Sequence, residues 1–242
     1  MSARYFALIA LGLLFFGCTA QPTQKDVMLA SLEKAGKLVS LSTELEMNVT
    51  SATQDGSTYA TASISQKMSG KKIRADMKIT GISALDGVEL RSYTLENGSY
   101  ICGKTDSWDC VQTNASRQFS GEAASGPAAF AETSRKLLNA GALEFIGAAQ
   151  EKEIAGRMCT RISARINYTK ASEVAPEIFP NGAKNALISQ CLDAETGIAL
   201  SGKLAIEEET QEGGVAASQF EFQVSQLSPN IQIPDDTFSH PT

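Results

Sequence analysis

Histidine is almost missing from this sequence of 242 residues, which has only His240, close to its carboxyl end. None of its five cysteines belongs to a Cys-x-x-Cys pair. A tetrahedral zinc site draws its ligands mainly from cysteine and histidine, and a serine or cysteine triad needs a histidine base. The sequence therefore argues against a zinc site and against triad catalysis.

Two further classes of function lack support. Lysine and arginine do not cluster, and the formal net charge is −6, which argues against nucleic acid as a partner. Gly202, Gly213 and Gly214 do not have the spacing of a phosphate-binding loop. The acidic run at residues 207–209 is typical of a solvated strand end rather than of an acid–base pair. We therefore expect no enzyme activity and no cofactor.

No apolar run is long enough to cross a bilayer, which takes roughly 20 residues. The longest run, residues 6–16, follows the positive charge of Arg4 and precedes the small residues Gly17 and Cys18. A charged start, a short apolar segment and small residues at a cleavage site are the features of a secretory signal peptide. We expect the protein to be exported, with residues 1–17 as its signal peptide.

Two cleavage sites are compatible with this segment. Residues 15–18, Phe-Phe-Gly-Cys, resemble the lipobox of prokaryotic lipoproteins, although Phe15 stands where an aliphatic residue is usual. This site predicts a lipid on Cys18, a short tether over residues 18–24 and a membrane anchor of two or more acyl chains, because one chain binds only marginally. Alternatively, cleavage after Ala20 releases a soluble secreted or periplasmic protein. We favour the lipid anchor.

Cysteine parity supports the lipid anchor. Without Cys18, four cysteines remain in an oxidising compartment. These four cysteines could pair in three different ways or could all remain free thiols. Local geometry favours two disulfides. The polar turn between Cys102 and Cys110 would bring their sulfurs together in a hairpin. Cys159 would then pair with Cys191.

The apolar pattern predicts a helix over residues 25–39 and then changes to the period of strands. A central helix is expected between Pro127 in its first turn and Gly141 just past its end, and a short helix is expected between residues 168 and 180. Gly197 is expected to take a positive φ in a hairpin turn. Strands are predicted at 41–50, 60–68, 72–79, 88–95, 99–102, 108–112, 143–151, 157–167, 186–192, 198–207 and 215–227.

These ten or eleven strands predict an α+β fold built on one wide antiparallel sheet with an apolar face and a wet face. A sheet of this width twists and curls. Its concave face needs cover from helices or from a ligand. We expect residues 25–242 to form a single domain.

Several motifs, in this order, resemble the lipoprotein-localisation carrier superfamily, which includes LolA- and LolB-like proteins and related lipid-binding lipoproteins. They are residues 145–147 followed by 153–159, the hairpin at 191–198, and the closing Pro-Asp-Asp-Thr-Phe at 234–238. The four-cysteine pattern is similar to that of uncharacterised prokaryotic lipoproteins of this kind. The resemblance covers most of residues 25–240.

The resemblance implies an unclosed β-barrel whose hydrophobic cavity is partly plugged by helices and holds acyl chains. We therefore expect a lipid or another hydrophobic ligand to bind on the apolar face of the sheet, where methionines suit a pliable pocket. A dry core made by the same residues is the alternative. The candidate cavity residues are Leu45, Met47, Ile64, Met68, Ile73, Met77, Ile79, Ile162, Ile166, Phe220 and Phe222.

A chain tethered through Cys18 would hold or present its ligand at one membrane surface rather than shuttle between membranes. The second hypothesis is a surface interaction module of the cell envelope that has protein partners and no small ligand. Four Asn-x-Ser/Thr sequons support an exposed surface, because glycosylation requires access. The candidate acceptors are Asn48, Asn97, Asn114 and Asn167.

Overall fold

The computed structural model describes residues 22–53, 56–81, 86–104, 106–113, 134–174, 183–209 and 215–239. The predicted signal peptide, Cys18, Asn114 and the predicted helix start at Pro127 lie outside the described residues. Within the described ranges, no helix is both long enough and apolar enough to cross a membrane.

One antiparallel sheet of twelve strands dominates the structure, with few helices, as the α+β prediction requires. The strand order is β6-β5-β4-β3-β2-β1-β12-β11-β10-β9-β7, and β8 also pairs with β9, so the curved sheet remains unclosed. The strands are β1 Ser40–Thr53, β2 Gly56–Ser69, β3 Lys72–Thr80, β4 Glu89–Leu95, β5 Gly98–Lys104, β6 Trp108–Thr113, β7 Leu143–Phe145, β8 Gln150–Ile154, β9 Arg157–Ile166, β10 Ala183–Asp193, β11 Ala199–Glu209 and β12 Val215–Pro229.

The strand count exceeds the prediction because the strand expected at residues 143–151 is two strands, β7 and β8. Gly147, which takes a φ of 73°, lies in the interruption between them. Both strands pair with β9: Phe145 lies opposite Ala164, and Gln150 lies opposite Arg161. The edge of the sheet next to β9 is therefore broken in its middle.

Helix α1, Gln24–Ala35, begins with a capping box in which the Thr23 hydroxyl and the Asp26 carboxylate each accept a backbone N–H from the other residue. The predicted end at residue 39 is wrong. The N–H of Gly36 donates to the carbonyl of Leu32 and closes the last turn, and Val39 lies outside the helix with 66% of its surface exposed. The apolar pattern continues past the cap, which is why the prediction overran it.

Three shorter elements complete the described fold. Helix α2 covers residues 134–139 and is followed by Gly141 at a φ of 63°, as expected for a residue just past a helix end. Helix α3 is Tyr168–Val174, within the segment predicted to be helical. A 3-10 turn, Asp235–Phe238, packs on β3, where Arg74 Nη1 donates to the carbonyl of Thr237 at 3.1 Å.

The two faces of the sheet differ in chemistry, and the strand register makes each face continuous. We call the face that α1 contacts the helix face. On it, Leu45 lies opposite Ile64 on one side and Val224 on the other. On the polar face, Ser65 lies opposite Asp76, and Asp76 lies opposite Arg91. The alternation read from the sequence thus becomes an apolar and a charged surface.

Candidate functional site

Helix α1 covers one part of the helix face through an apolar stripe. Met28 and Leu32 belong to the same buried cluster as Ile162 of β9, Leu192 of β10 and Leu138 of α2. Residues four apart lie on one side of a helix, so Met28 and Leu32 reach the sheet together. This packing fixes the distance between the helix and the sheet.

The first turn of α1 is attached to the broken edge of the sheet by Gln24, which is only 6% exposed. Its carboxamide nitrogen donates to the carbonyl oxygens of Ile146 and Gly147, at 2.8 Å and 2.7 Å. Its carboxamide oxygen accepts from the backbone N–H of Ser163 at 2.6 Å. The side chain therefore bridges β9 and the interruption between β7 and β8. Gln24 was placed in the tether by the sequence, yet it is part of the folded helix.

The second half of α1 lies directly on the turn between β10 and β11. Gly197 has a φ of 73°, as expected for this turn, and a Cβ there would lie 2.0 Å from the carbonyl oxygen of Ser31. No side chain fits at that distance. Lys34 also donates from its Nζ to the carbonyl of Ala194 in the same turn. Glycine at position 197 is thus required for the helix to approach the sheet.

A buried carboxylate holds that turn in shape. Asp193 is 1% exposed and accepts two hydrogen bonds from Arg157, both at 2.9 Å. The Thr196 N–H and hydroxyl donate to the same carboxylate at 2.8 Å and 2.7 Å. Burial raises the pKa of Asp193, but the hydrogen bonds from Arg157 and Thr196 together outweigh it and hold that pKa below its usual range. The charged form of Asp193 therefore stabilises the β10–β11 turn that α1 contacts.

The space between α1 and the sheet is a cavity of about 210 Å³, which we call the main cavity. Its walls come from the helix, from β1, β2 and β12 on one side, and from β10, β11 and their turn on the other. None of the lining residues is charged. They are Met28, Ser31, Leu32, Ala35, Leu41, Thr43, Leu45, Gln66, Met68, Gln190, Leu192, Gly197, Ile198, Ala199, Phe222 and Val224.

A second cavity of about 110 Å³ adjoins the first. Met28 and Gln190 line both cavities, so these two side chains stand at their boundary. The walls of the second cavity come from α1, α2, β7, β9 and β10. Its other lining residues are Ser134, Leu137, Leu143, Phe145, Ile162, Ala164, Ile166 and Ile188.

The candidate residues from the sequence fall into three groups. Leu45, Met68 and Phe222 line the main cavity, and Ile162 and Ile166 line the second one. Ile73 is buried in a cluster with Leu41 and Met68. The remaining five line neither of these two cavities and are only partly buried or, for Phe220, 36% exposed: Met47, Ile64, Met77, Ile79 and Phe220.

The site also contains residues that the apolar pattern could not identify. Thr43, Gln66 and Gln190 line the main cavity although they are polar. The only sequence signal for Thr43 is its position in the alternation of β1, two residues from Leu41 and from Leu45. Gln24 and Gly197 position the helix but do not belong to any apolar pattern. Their roles depend on contacts between parts of the chain that are far apart in sequence.

The four cysteines other than Cys18 form the two disulfides that the sequence favours. Cys102 bonds to Cys110 across β5 and β6, and Cys159 bonds to Cys191 across β9 and β10. Cys159 and Cys191 belong to a buried cluster with Val224, which also lines the main cavity. The second disulfide therefore braces strands next to the site. Within the described ranges, no group of histidine, cysteine and acidic side chains could hold a metal ion.

A charged cluster lies on the polar face and contributes no residue to the main cavity. Asp76 pairs with Arg74 at 2.8 Å and also with Arg91, whose guanidinium stacks 4.1 Å from the centre of the Trp108 ring. Burial raises the pKa of Asp76, but the hydrogen bonds from both arginines outweigh it and hold that pKa below its usual range. One carboxylate thus pairs with two guanidinium groups, and ion-pair networks with a structural role also shift pKa values in this way.

The three described sequon asparagines have different surroundings. Asn97 is exposed in the turn between β4 and β5. Asn48 lies within β1, where its Oδ1 accepts from the hydroxyls of Tyr59 and Thr61 at 2.9 Å and 3.0 Å. Asn167 precedes α3, and its Oδ1 accepts from the N–H of Lys170. Of these three, Asn97 and Asn167 are exposed, whereas Asn48 is half-buried.

Comparison with known proteins gives structural similarity only. No protein-family model matches the chain, and no curated protein matches it. Among solved structures, the lipoprotein LppX of Mycobacterium tuberculosis has a TM-score of 0.46 and 12% identity, over 86% of this chain and 97% of that one. A putative outer membrane lipoprotein-sorting domain from Vibrio parahaemolyticus has a TM-score of 0.35 and 7% identity, over 88% and 95%.

A DUF1329 family protein from Desulfovibrio piger has a TM-score of 0.36 and 11% identity, over 90% of this chain and 98% of that one. Two of these three neighbours are described as a lipoprotein or as a lipoprotein-sorting protein domain. With identities of 12% or less and TM-scores below 0.5, we draw no conclusion about a ligand or a partner from them.

Proposed function

We propose that this protein binds a lipid or another hydrophobic ligand in the main cavity. The observation that carries the proposal is the cavity itself, which lies between α1 and the helix face and has an uncharged, largely apolar wall. Burial of apolar surface contributes roughly 25 cal/mol per Å², so an alkyl chain would bind there without any charged contact. Binding sites of this kind are concave and mostly apolar, with a few polar groups.

The size of the main cavity fits part of a lipid rather than a whole one. Its volume of about 210 Å³ exceeds that of an apolar cavity of about 150 Å³ that binds benzene. The second cavity extends the apolar space beyond Met28 and Gln190. A methionine at this boundary can adapt its rotamer to a chain that passes from one cavity to the other.

We also propose that the protein works outside the cytoplasm and is anchored by a lipid on Cys18. The capping box at Thr23 fixes the point where the folded part begins. A tether over residues 18–23 would then span at most about 22 Å, at roughly 3.3–3.6 Å per residue. The cavity would stay close to the membrane surface, as suits a protein that holds or presents a lipid at one membrane.

Native mass spectrometry followed by organic extraction tests the binding proposal. The full chain would be produced in an oxidising compartment so that both disulfides form, with Cys18→Ala to prevent covalent lipid attachment. We expect a discrete additional mass that extracts as lipid, or that appears after incubation with membrane lipids. A protein mass that remains unchanged after that incubation would contradict the proposal and favour a dry core with protein partners.

A further inference from the structure

The polar side chains of the main cavity indicate what kind of group the ligand brings into it. Four of the sixteen lining residues carry a hydrogen-bonding side chain, and none carries a charge. An ionised group buried there would have no counter-charge in the wall, and burying an unpaired charge is very costly. The four polar residues are Ser31, Thr43, Gln66 and Gln190.

Thr43 differs from the other three because, of the four and within the described residues, only its polar side-chain atom is both fully buried and without a hydrogen-bond partner. It is 4% exposed, and its Oγ1 is buried with no hydrogen-bond partner in the described part of the chain. Such a hydroxyl costs about 1–3 kcal/mol relative to one that is paired. Valine has the same shape and would avoid that cost. A ligand in the cavity would offset it by supplying the missing partner.

Gln66 stands beside Thr43. The two residues are direct partners in the register of β1 and β2, and both line the main cavity. Directly opposite residues on one face of an antiparallel pair have Cβ atoms about 4.5–5.5 Å apart. A hydroxyl and a carboxamide therefore stand together at one point of an apolar wall, where they can both donate to a single carbonyl group.

We infer that the main cavity takes the neutral carbonyl linkage of an acyl lipid, an ester or an amide, beside Thr43 and Gln66. This inference rests on the proposed function. The acyl chain lies along the apolar wall, the carbonyl oxygen accepts from the Thr43 hydroxyl, and any charged headgroup remains outside the cavity. The site thus recognises an esterified or amidated chain and discriminates against a free fatty-acid carboxylate.

Three ligands with equal numbers of heavy atoms separate the effects of the alkyl chain, the neutral carbonyl and the negative charge. They are n-decane, methyl heptanoate and octanoate. Their affinities would be measured at neutral pH by displacement of the neutral fluorophore N-phenylnaphthylamine from the full chain carrying Cys18→Ala. The test variant is Thr43→Val, which replaces the hydroxyl with a methyl group of similar size. The control is Thr94→Val, because Thr94 lies opposite Ile73 on the same face but does not line the main cavity.

We expect Thr43→Val to lower the affinity for methyl heptanoate about five- to tenfold, because one hydrogen bond to the ligand is lost. The affinity for n-decane should not fall. Thr94→Val should change neither affinity, and octanoate should bind more weakly than its ester-bearing counterpart. Thr43→Val should also unfold at no lower temperature than the parent protein. An unchanged affinity for the ester, or equal weakening of ester and alkane, would overturn the inference while leaving the cavity proposal intact.

Two other outcomes count against it. A marked loss of thermal stability in Thr43→Val would show that the hydroxyl is already paired within the protein, and this would overturn the inference. Failure of both methyl heptanoate and n-decane to bind the parent protein would overturn the proposed function and, with it, the inference. Comparing the ester with the alkane therefore separates the proposed ligand site in the main cavity from the inferred carbonyl contact at Thr43.

Discussion

The carbonyl oxygen of Ser31 lies 2.0 Å from the position that a Cβ on Gly197 would occupy, so the backbone of α1 rests on the backbone of the β10–β11 turn. Both residues also line the main cavity. The contact that brings the helix to the sheet is therefore also part of the wall of the site. A change at position 197 should affect stability and binding together.

Gly197→Ala is expected to destabilise the protein by at least about 3 kcal/mol, because the methyl group must displace α1 in addition to straining a positive φ. Gly156→Ala is the matched control. Gly156 has a φ of 72°, close to that of Gly197, but a Cβ there would meet nothing within 4 Å. Gly156→Ala should lower the free energy of unfolding by only about 1–2 kcal/mol, the cost of a side chain at a left-handed φ. Urea unfolding measures both, and equal costs would contradict the role given to Gly197.

Gln24→Glu is expected to loosen the amino-terminal end of α1. The carboxylate could still accept from the Ser163 N–H, but it would face the carbonyl oxygens of Ile146 and Gly147 without a donor. We expect a loss of about 2–4 kcal/mol at neutral pH, because two buried acceptors lose their partner beside a negative charge. Gln150→Glu, at an exposed position, should cost under about 0.5 kcal/mol. Equal losses in urea unfolding would argue against the bridge.

Asp193→Asn is expected to cost about 2–4 kcal/mol at pH 7, because Arg157 loses its buried charge partner. Since the folded pKa of Asp193 lies below its unfolded value, its contribution is fully present above the unfolded pKa of about 3.9. That contribution is lost as the pH falls through the folded pKa. The stability difference between the parent and Asp193→Asn should therefore shrink below about pH 4. A difference that stays constant from pH 7 to pH 3 would contradict this assignment.

The two disulfides should contribute unequally. The sequence separations are 32 residues for Cys159–Cys191 and 8 for Cys102–Cys110. Loop-closure entropy gives about 3.7 kcal/mol for the longer loop and about 2.5 kcal/mol for the shorter one. The double alanine variant at 159 and 191 should thus be the less stable, and it should also weaken ligand binding, since its cluster shares Val224 with the main cavity. If urea unfolding showed the double alanine variant at 102 and 110 to be the less stable one, the prediction would be wrong.

The sheet could be predicted from the sequence because alternation is a local property. Ile73, Met77 and Ile79 alternate with charged residues, and the strand found there matches the predicted one within a residue at each end. Two boundaries were not predicted, the break in the strand at Gly147 and the end of the helix at Gly36, because the apolar pattern continues across both glycines.

The site could be predicted only in part, because alternation assigns a residue to a face without saying what covers that face. Leu45, Met68 and Phe222 line the main cavity, whereas Met77 of β3 and Phe220 of β12 lie outside it. An apolar alternation cannot identify polar residues in the wall of a cavity. Thr43 has a role in the site only because a helix 8 residues upstream of it folds back over the strand.

The ligand-binding claim is tested most directly by filling the main cavity. Ala199 of β11 lines it. Ala205 lies past the register shift between β10 and β11 at Leu200, and its neighbours Leu204 and Ile206 pack on the apolar cluster around Ile166, so Ala205 projects from the opposite face. With N-phenylnaphthylamine as the ligand and the full chain carrying Cys18→Ala as the parent, Ala199→Phe should weaken binding at least about tenfold. Ala205→Phe should leave binding unchanged. Equal binding by both variants, with both shown to be folded, would contradict a ligand site between α1 and the sheet.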